Sequence, residues 1–201
     1  MLFKLVYFGL PGSGRATNLR FLHENLDVVD KGQLTPIEVG ADSTLHFEFL
    51  VPQAELVDGF VARFQLYSVA GRARYRATHE LLLKNADGVV LVVDSDRRRL
   101  QENRAMIDEL AHCLQSRTLP TPAFMVQFNK RDLATALPVE KLRKALEIPP
   151  ELAHVEATSS SGWGVFETIN PVCQAVLERV PGAGTAARKT NPLVESRGAG
   201  A

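Results

Sequence analysis

The sequence predicts an α/β protein with a three-layer αβα architecture. Its sheet is expected to be doubly wound, mainly parallel and six-stranded, with one antiparallel edge strand. Short apolar runs typical of buried strands alternate with segments whose apolar residues recur at helical spacing. Asp58-Gly59 separates two alternating segments and predicts a turn between antiparallel strands. A glycine-rich loop joins the first predicted strand to the first predicted helix, as in folds whose first loop binds phosphate.

The individual elements follow from these periodicities. The predicted strands span residues 2–8, 44–51, 60–66, 88–94, 123–128 and 153–157. The predicted helices span residues 16–26, 100–115, 138–146 and 165–180, with a further short helix that ends at residue 84. The first and fourth strands are continuous apolar runs, which is typical of parallel strands buried on both faces. The polar residues 30–43 predict an irregular, turn-rich connection.

The composition fits one globular domain over residues 1–180. The chain has 201 residues, of which 45% are hydrophobic, and this is enough for a full core. Residues 181–201 are rich in Gly, Ala, Arg, Thr and Pro, which predicts a disordered tail. Lys+Arg and Asp+Glu both number 23, so the formal net charge is zero and a general nucleic-acid binder is not expected.

The expected location is the cytoplasm. Cys113 and Cys173 lie in predicted helices, without the spacing of a disulfide framework or a metal site. The N-terminus lacks the pattern of a secretory signal, and no apolar run approaches the ~20 residues of a membrane span. We therefore expect no direct membrane insertion.

The loop after the first strand has the spacing of a phosphate loop. In the form G-x-x-x-x-G-K-[ST], backbone N–H groups cradle phosphates, the Lys contacts the outer phosphates and the hydroxyl binds Mg²⁺. Gly9 and Gly14 have the required spacing, and Gly12 permits close approach. The predicted phosphate-contacting residues are Gly9, Gly12, Ser13, Gly14, Arg15, Ala16 and Thr17.

Two residues of this loop depart from the pattern. Arg15 occupies the Lys position and keeps the charge, but it is bulkier and planar. Ala16 occupies the hydroxyl position and removes one Mg²⁺ ligand, and Thr17 lies about 100° further round the helix. Weakening two charge-assisted contacts of ~1.5–3 kcal/mol each predicts an affinity lower by roughly two to three decades. The alternative is that residues 9–16 form only a tight strand-to-helix turn.

The tetrapeptide Asn129-Lys130-Arg131-Asp132 after the fifth strand has the residues of a guanine-recognition loop. The carboxylate of Asp132 can accept hydrogen bonds from N1–H and the 2-amino group of guanine, and adenine lacks both donors. The Lys130 stem can pack over the base, and Asn129 can tie the loop to its neighbours. Residues 156–159, after the last strand, form a candidate second base-contacting loop, with Ala157 and Thr158 as its predicted contact residues.

Taken together, these motifs resemble those of the Ras-like small GTPases, and within them those of the bacterial MglA family of cell-polarity and gliding-motility switches. The matching segments are 9–19, 44–50, 63–71, 129–133 and 164–168. The resemblance implies a guanine-nucleotide switch that binds GTP and GDP with Mg²⁺. It also implies regulatory and effector proteins that contact two switch regions, 30–44 and 68–78.

The departures from this family lie at chemical positions. Ras-like proteins carry Asp-x-x-Gly-Gln after the third strand, and the MglA family has Thr in place of that Asp. Here Ser68 occupies the first position, Gly71 is kept for the γ-phosphate, and Arg72 replaces the water-orienting Gln. Ser43 replaces an arginine that the resemblance assigns to transition-state stabilisation, while Thr44 is retained as a candidate Mg²⁺ ligand.

Gly71 and Arg72 are accordingly the candidate catalytic residues. Arg72 can stabilise charge but cannot orient a water as an amide does. The alternative is a surface cation beside Arg74 and Arg76, in a cluster that suits an acidic partner or solvent.

Three functions are compatible with the sequence. The first is an MglA-like GTPase module that binds guanine nucleotide and hydrolyses it slowly or not at all. The second is a nucleotide-free pseudo-GTPase that acts as a protein-interaction scaffold. The third, a metabolite kinase with a phosphate loop, would need an acceptor site, and the sequence offers no candidate for one.

Overall fold

Seven strands form one sheet in the computed structural model, which describes residues 1–28, 30–39, 42–55, 61–68, 76–115 and 121–180. The strands are β1 Leu2–Gly9, β2 Thr35–Val39, β3 Asp42–Glu55, β4 Val61–Ser68, β5 Gly88–Asp94, β6 Ala123–Asn129 and β7 His154–Glu156. The helices are α1 Arg15–Asn25, α2 Arg76–Leu83, α3 Leu100–Gln115, α4 Val139–Leu146 and α5 Val165–Leu177, with a 3₁₀ turn at Arg97–Arg99.

The order of strands across the sheet is β2-β3-β4-β1-β5-β6-β7. β1 pairs in parallel with both β4 and β5, and β6 continues the parallel part with β5 and β7. β3 pairs antiparallel with β2 and with β4. The predicted α/β class and the antiparallel pairing of the two early strands are therefore confirmed. The predicted turn at residues 58–59 and the predicted tail lie outside the described residues.

The prediction of six strands was one strand short. β2 lies in the segment predicted as an irregular connection, and it pairs with β3 so that Ile37 is opposite Thr44. Its sequence gives no strand signal, since Pro36 cannot donate a ladder hydrogen bond. An outermost strand tolerates such a proline, because its free side needs no partner. The antiparallel edge is consequently two strands wide.

Two cores pack against the opposite faces of the sheet. Alternate residues of β1 belong to different cores: Leu5 and Tyr7 pack towards α1 and α5, and Val6 and Phe8 pack towards α2, α3 and α4. This explains why β1 is a continuous apolar run. Among the described residues, no helix has the length and apolar character needed to cross a bilayer.

Candidate nucleotide-binding site

The carboxyl ends of β1, β5 and β6 meet at one edge of the sheet. Gly9 at the end of β1 pairs with Val92 of β5, and Asp94 at the end of β5 pairs with Asn129 at the end of β6. In open α/β sheets, ligands bind in the crevice outside the carboxyl ends of the parallel strands. The two loops predicted to bind phosphate and base therefore lie side by side.

In the phosphate loop, residues 9–16, two glycines lie so close to neighbouring residues that a side chain would not fit there. Gly9 and Gly14 have φ of 147° and 105°. A Cβ at Gly9 would lie 2.3 Å from the Val92 carbonyl oxygen, and one at Gly14 would lie 2.0 Å from Nδ2 of Asn129. Around Gly12, by contrast, a Cβ would meet no atom within 4 Å. The loop is tightly packed at Gly9 and Gly14 and open at Gly12, which leaves room for a phosphate group.

The side chains of this loop offer few ligands to a metal ion. Arg15 is buried as the first residue of α1, and Ala16 and Thr17 are half-buried. Ser13 is fully buried, and its Oγ has no hydrogen-bond partner within the part of the chain that is described. The backbone of the loop suits phosphate oxygens, whereas position 16 supplies no oxygen to a cation.

Asn129 joins the phosphate loop to the loop after β7. It is fully buried, and its Nδ2 donates to the Ser13 carbonyl oxygen at 2.7 Å and to Ser159 Oγ at 2.9 Å. Its Oδ1 accepts from the Ser159 backbone N–H at 2.9 Å. One side chain thus fixes both loops relative to β6, as the sequence predicted for this asparagine.

The base loop, residues 129–132, presents one fixed and one exposed charge. Lys130 has φ 64°, and its Nζ lies 2.7 Å from Oδ2 of Asp94, which is buried at the end of β5. Holding the ammonium there fixes the course of the lysine stem. The Asp132 carboxylate is exposed and available to a ligand.

The two predicted contact residues of the loop after β7, Ala157 and Thr158, make backbone hydrogen bonds to their neighbours. Ala157 is fully buried, its N–H donates to the Phe128 carbonyl, and its own carbonyl accepts from the Arg131 N–H. It therefore supports the base loop through its backbone. Thr158 donates its N–H to the Trp163 carbonyl at 2.9 Å and is half-buried.

Sequence reasoning missed a buried polar network behind the phosphate loop. Asn18 of α1 donates to the Gly14 carbonyl and exchanges two 2.9 Å amide hydrogen bonds with Gln127 of β6. Gln127 also donates to Thr168 Oγ1 of α5 at 2.9 Å. The one local signal was a glutamine inside an otherwise apolar strand. Ser159 lies within the predicted loop of residues 156–159, but its hydrogen bonds to Asn129 were not predictable from the sequence.

The predicted switch residues are only partly described. Thr44 is buried in β3, next to Leu45, which pairs with the β4 residue Ser68. Ser68 pairs in turn with Tyr7, near the carboxyl end of β1. Thr44 therefore lies on the side of the sheet where the phosphate loop begins. Gly71 and Arg72 lie outside the described residues.

Comparison with known proteins agrees with this architecture. A model of the ADP-ribosylation factor family matches residues 1–178. The mutual gliding-motility protein MglA of Myxococcus xanthus (strain DK1622) is 36% identical over 183 residues, which is 90% of this chain and 93% of that protein. The Ras-related protein RABA1b of Arabidopsis thaliana is 33% identical over 69% of this chain and 57% of its own length. The small COPII coat GTPase SAR1 of Giardia intestinalis is 28% identical over 72% of this chain.

Fold and site together define an α/β protein in which a loop with phosphate-loop spacing and the Asn129-Lys130-Arg131-Asp132 tetrapeptide lie side by side at the carboxyl ends of the parallel strands. The family match and the identity to MglA agree with that class, and the chain belongs to the small GTPase family. Members of this family use GTP and GDP with Mg²⁺ and bind regulators or effectors.

Proposed function

We propose that this chain is an MglA-like nucleotide-binding module that acts as a regulatory switch in bacterial cell polarity or gliding motility. The similarity to a mutual gliding-motility protein over 93% of that protein's length supports this proposal. Its regulators and effectors would contact the switch regions 30–44 and 68–78, and the site of action would be the cytoplasm.

The observation that carries the proposal is the set of bonds made by Asn129. This side chain holds the Ser13 carbonyl of the phosphate loop and the Ser159 backbone of the loop after β7 at the same time. A protein that had ceased to bind nucleotide would have no need for this arrangement beyond stability. Its retention, together with an exposed Asp132 carboxylate, favours binding of a guanine nucleotide.

Each part of the nucleotide has a candidate partner. The phosphates would bind the backbone N–H groups around Gly12, with Arg15 as the cation of the loop. The base would bind Asp132 and pack on the stem of Lys130. Mg²⁺ would supply charge neutralisation at the phosphates, and Thr44 would be its ligand from the protein. Since Ala16 provides no oxygen, Mg²⁺ binding would be weaker than in relatives with a hydroxyl there.

Hydrolysis would be slow or absent. An amide at position 72 would orient the attacking water, and Arg72 cannot do so. Ser43 likewise lacks the charge that an arginine would bring to the transition state. The chain would consequently stay in its GTP-bound state until a partner protein intervened.

Titration calorimetry with GDP and GTP, with and without Mg²⁺, tests the proposal. Micromolar or tighter binding to the wild-type chain is expected. Asp132→Asn replaces one acceptor oxygen by an NH2 group that faces a donor of guanine, and this should weaken binding by about 100-fold. ADP is the ligand control, and it should bind no better than GDP binds to Asp132→Asn.

The alternative is a nucleotide-free pseudo-GTPase that acts as a protein-interaction scaffold. The observation in its favour is the combination of Arg15 and Ala16 at the two side-chain positions of the phosphate loop. Absence of binding at millimolar GDP and GTP would establish this alternative and refute the switch.

A further inference from the structure

Arg99 connects the phosphate loop to the start of α3. It is the last residue of the 3₁₀ turn that follows β5, and its Nη2 donates to the Pro11 carbonyl oxygen at 3.1 Å. The same nitrogen lies 2.5 Å from Oε2 of Glu102, one turn along α3. The bond to Pro11 spans 88 positions of sequence, so the fold and not local structure brings the two residues together.

Stability alone does not account for this arginine. Its Nε is buried and has no hydrogen-bond partner among the residues that the structure describes, and a buried donor without a partner is unfavourable. The pair with Glu102 offers little compensation, because the two side chains are 35% and 56% exposed and surface ion pairs contribute little. The hydrogen bond to the Pro11 carbonyl is therefore the contact of Arg99 that we interpret as functional.

That contact fixes the peptide group between Pro11 and Gly12. The C=O and N–H of a trans peptide point in opposite directions. Since the Pro11 carbonyl faces Arg99, the Gly12 N–H faces away from it. This N–H makes no hydrogen bond within the described part of the chain, and the space around Gly12 is open. Pro11 has no N–H of its own, so Gly12 supplies the backbone donor at the open part of the loop.

We propose that Arg99 is a positioning residue for the outer phosphates of the bound nucleotide. By holding the Pro11 carbonyl, it keeps the Gly12 N–H turned towards the phosphate. This inference rests on the proposed function. Its importance follows from the changes at Arg15 and Ala16, because a loop that has lost side-chain contacts depends more on its backbone donors.

The test compares three variants of the full chain by calorimetry with GDP and Mg²⁺. Arg99→Ala should weaken GDP binding about tenfold, the equivalent of one lost hydrogen bond to a charged group. Arg99→Lys can still donate to Pro11 and should recover most of that loss. Arg97→Ala is the matched control, since Arg97 is exposed in the same turn and makes no side-chain hydrogen bond to the described residues.

A second measurement separates positioning from a general loss of structure. The ³¹P resonance of the β-phosphate of bound GDP should shift in Arg99→Ala and stay in place in Arg97→Ala, while the urea midpoint of both variants stays near that of the wild type. Equal GDP affinity and equal ³¹P spectra in the two alanine variants would overturn the role of Arg99 and leave the proposed function intact. Failure of the wild-type chain to bind GDP would overturn both.

Discussion

The base loop and the phosphate loop share one anchor, Asn129, but they have kept different parts of their chemistry. The base loop has its full set of side chains, and Lys130 is held by a buried partner, Asp94. The phosphate loop has kept its backbone, with close approaches at Gly9 and Gly14, but has Arg15 and Ala16 where a lysine and a hydroxyl are expected.

This difference separates the residues that would bind the nucleotide from those that would bind Mg²⁺ and orient the attacking water. Recognising a guanine base needs an acceptor side chain in a fixed loop, and Asp132 is exposed in a loop held by Asn129 and Lys130. Binding phosphates needs mainly backbone N–H groups, which any sequence with the right glycines can present. Binding Mg²⁺ and orienting water need particular side chains, and the residues at positions 16 and 72 are not those that the resemblance implies, whereas Thr44 is. This pattern is the one expected of the proposed switch, which binds nucleotide and hydrolyses it slowly or not at all.

The largest effect is expected from Asn129→Ala, which would break the link between the two loops. The change removes three hydrogen bonds of a fully buried side chain. We expect a loss of about 3 kcal/mol in the free energy of unfolding, at about 1 kcal/mol for each bond. Urea denaturation measures it, and nucleotide affinity should fall in parallel.

Asn25→Ala is the matched control for that variant. Asn25 also donates one hydrogen bond, to the Phe21 carbonyl, but it is exposed at the end of α1. Its loss should change the free energy of unfolding by no more than about 0.5 kcal/mol. Similar losses in the free energy of unfolding for both variants would show that the buried hydrogen bonds of Asn129 contribute no more to stability than the exposed one of Asn25.

The next effect concerns the packed and open sides of the phosphate loop. Both Gly14→Ala and Gly12→Ala put a side chain where φ is positive, at 105° and 77°. Only the first also forces a Cβ to within 2.0 Å of Asn129 Nδ2. We expect Gly14→Ala to cost about 2 kcal/mol more than Gly12→Ala in urea denaturation, because it displaces a hydrogen-bonded amide. Equal costs would mean that the two loops are not tightly joined.

A smaller effect, of opposite sign, should follow from repairing the phosphate loop. The double variant Arg15→Lys, Ala16→Ser restores a compact ammonium and a hydroxyl. Because Arg15 already supplies the positive charge, the repair should recover only part of the roughly two to three decades of affinity predicted from the sequence. GTP affinity in the presence of Mg²⁺ should rise by about tenfold, or ~1.4 kcal/mol. Calorimetry without Mg²⁺ is the control, and there the serine should contribute nothing. Unchanged affinity under both conditions would show that these two positions do not limit binding.

The parts of this site that sequence could predict are those with a local pattern. The spacing of Gly9 and Gly14 and the tetrapeptide after β6 are visible in short windows of sequence. Asn18 and Gln127, by contrast, are 109 positions apart, and Arg99 is 88 positions from Pro11. Contacts of this kind depend on the order of strands, which no short window contains. β2 was missed for a related reason, since its pairing with β3 stabilises it despite Pro36.

The smallest effect tests the support of the base loop at low pH. Asp96 follows β5, and hydrogen bonds from the Arg98 side chain and backbone lower the pKa of its carboxyl. The adjacent backbone is bonded to the segment after the base loop, from Arg97 N–H to the Thr135 carbonyl and from Leu137 N–H to the Ser95 carbonyl. Ionised Asp96 thus lies in a turn that is hydrogen-bonded to the segment following the base loop.

The sign of the pH dependence follows from the lowered pKa. Asp96 contributes stability above the unfolded pKa of about 3.9, and this contribution is lost as the pH falls towards the lower folded pKa. In Asp96→Asn the contribution is absent at every pH. The difference in urea midpoint between wild type and Asp96→Asn should therefore be largest near neutral pH and should shrink below about pH 4. A difference that stays constant down to acid pH would show that the charge of Asp96 contributes nothing to the stability of the fold.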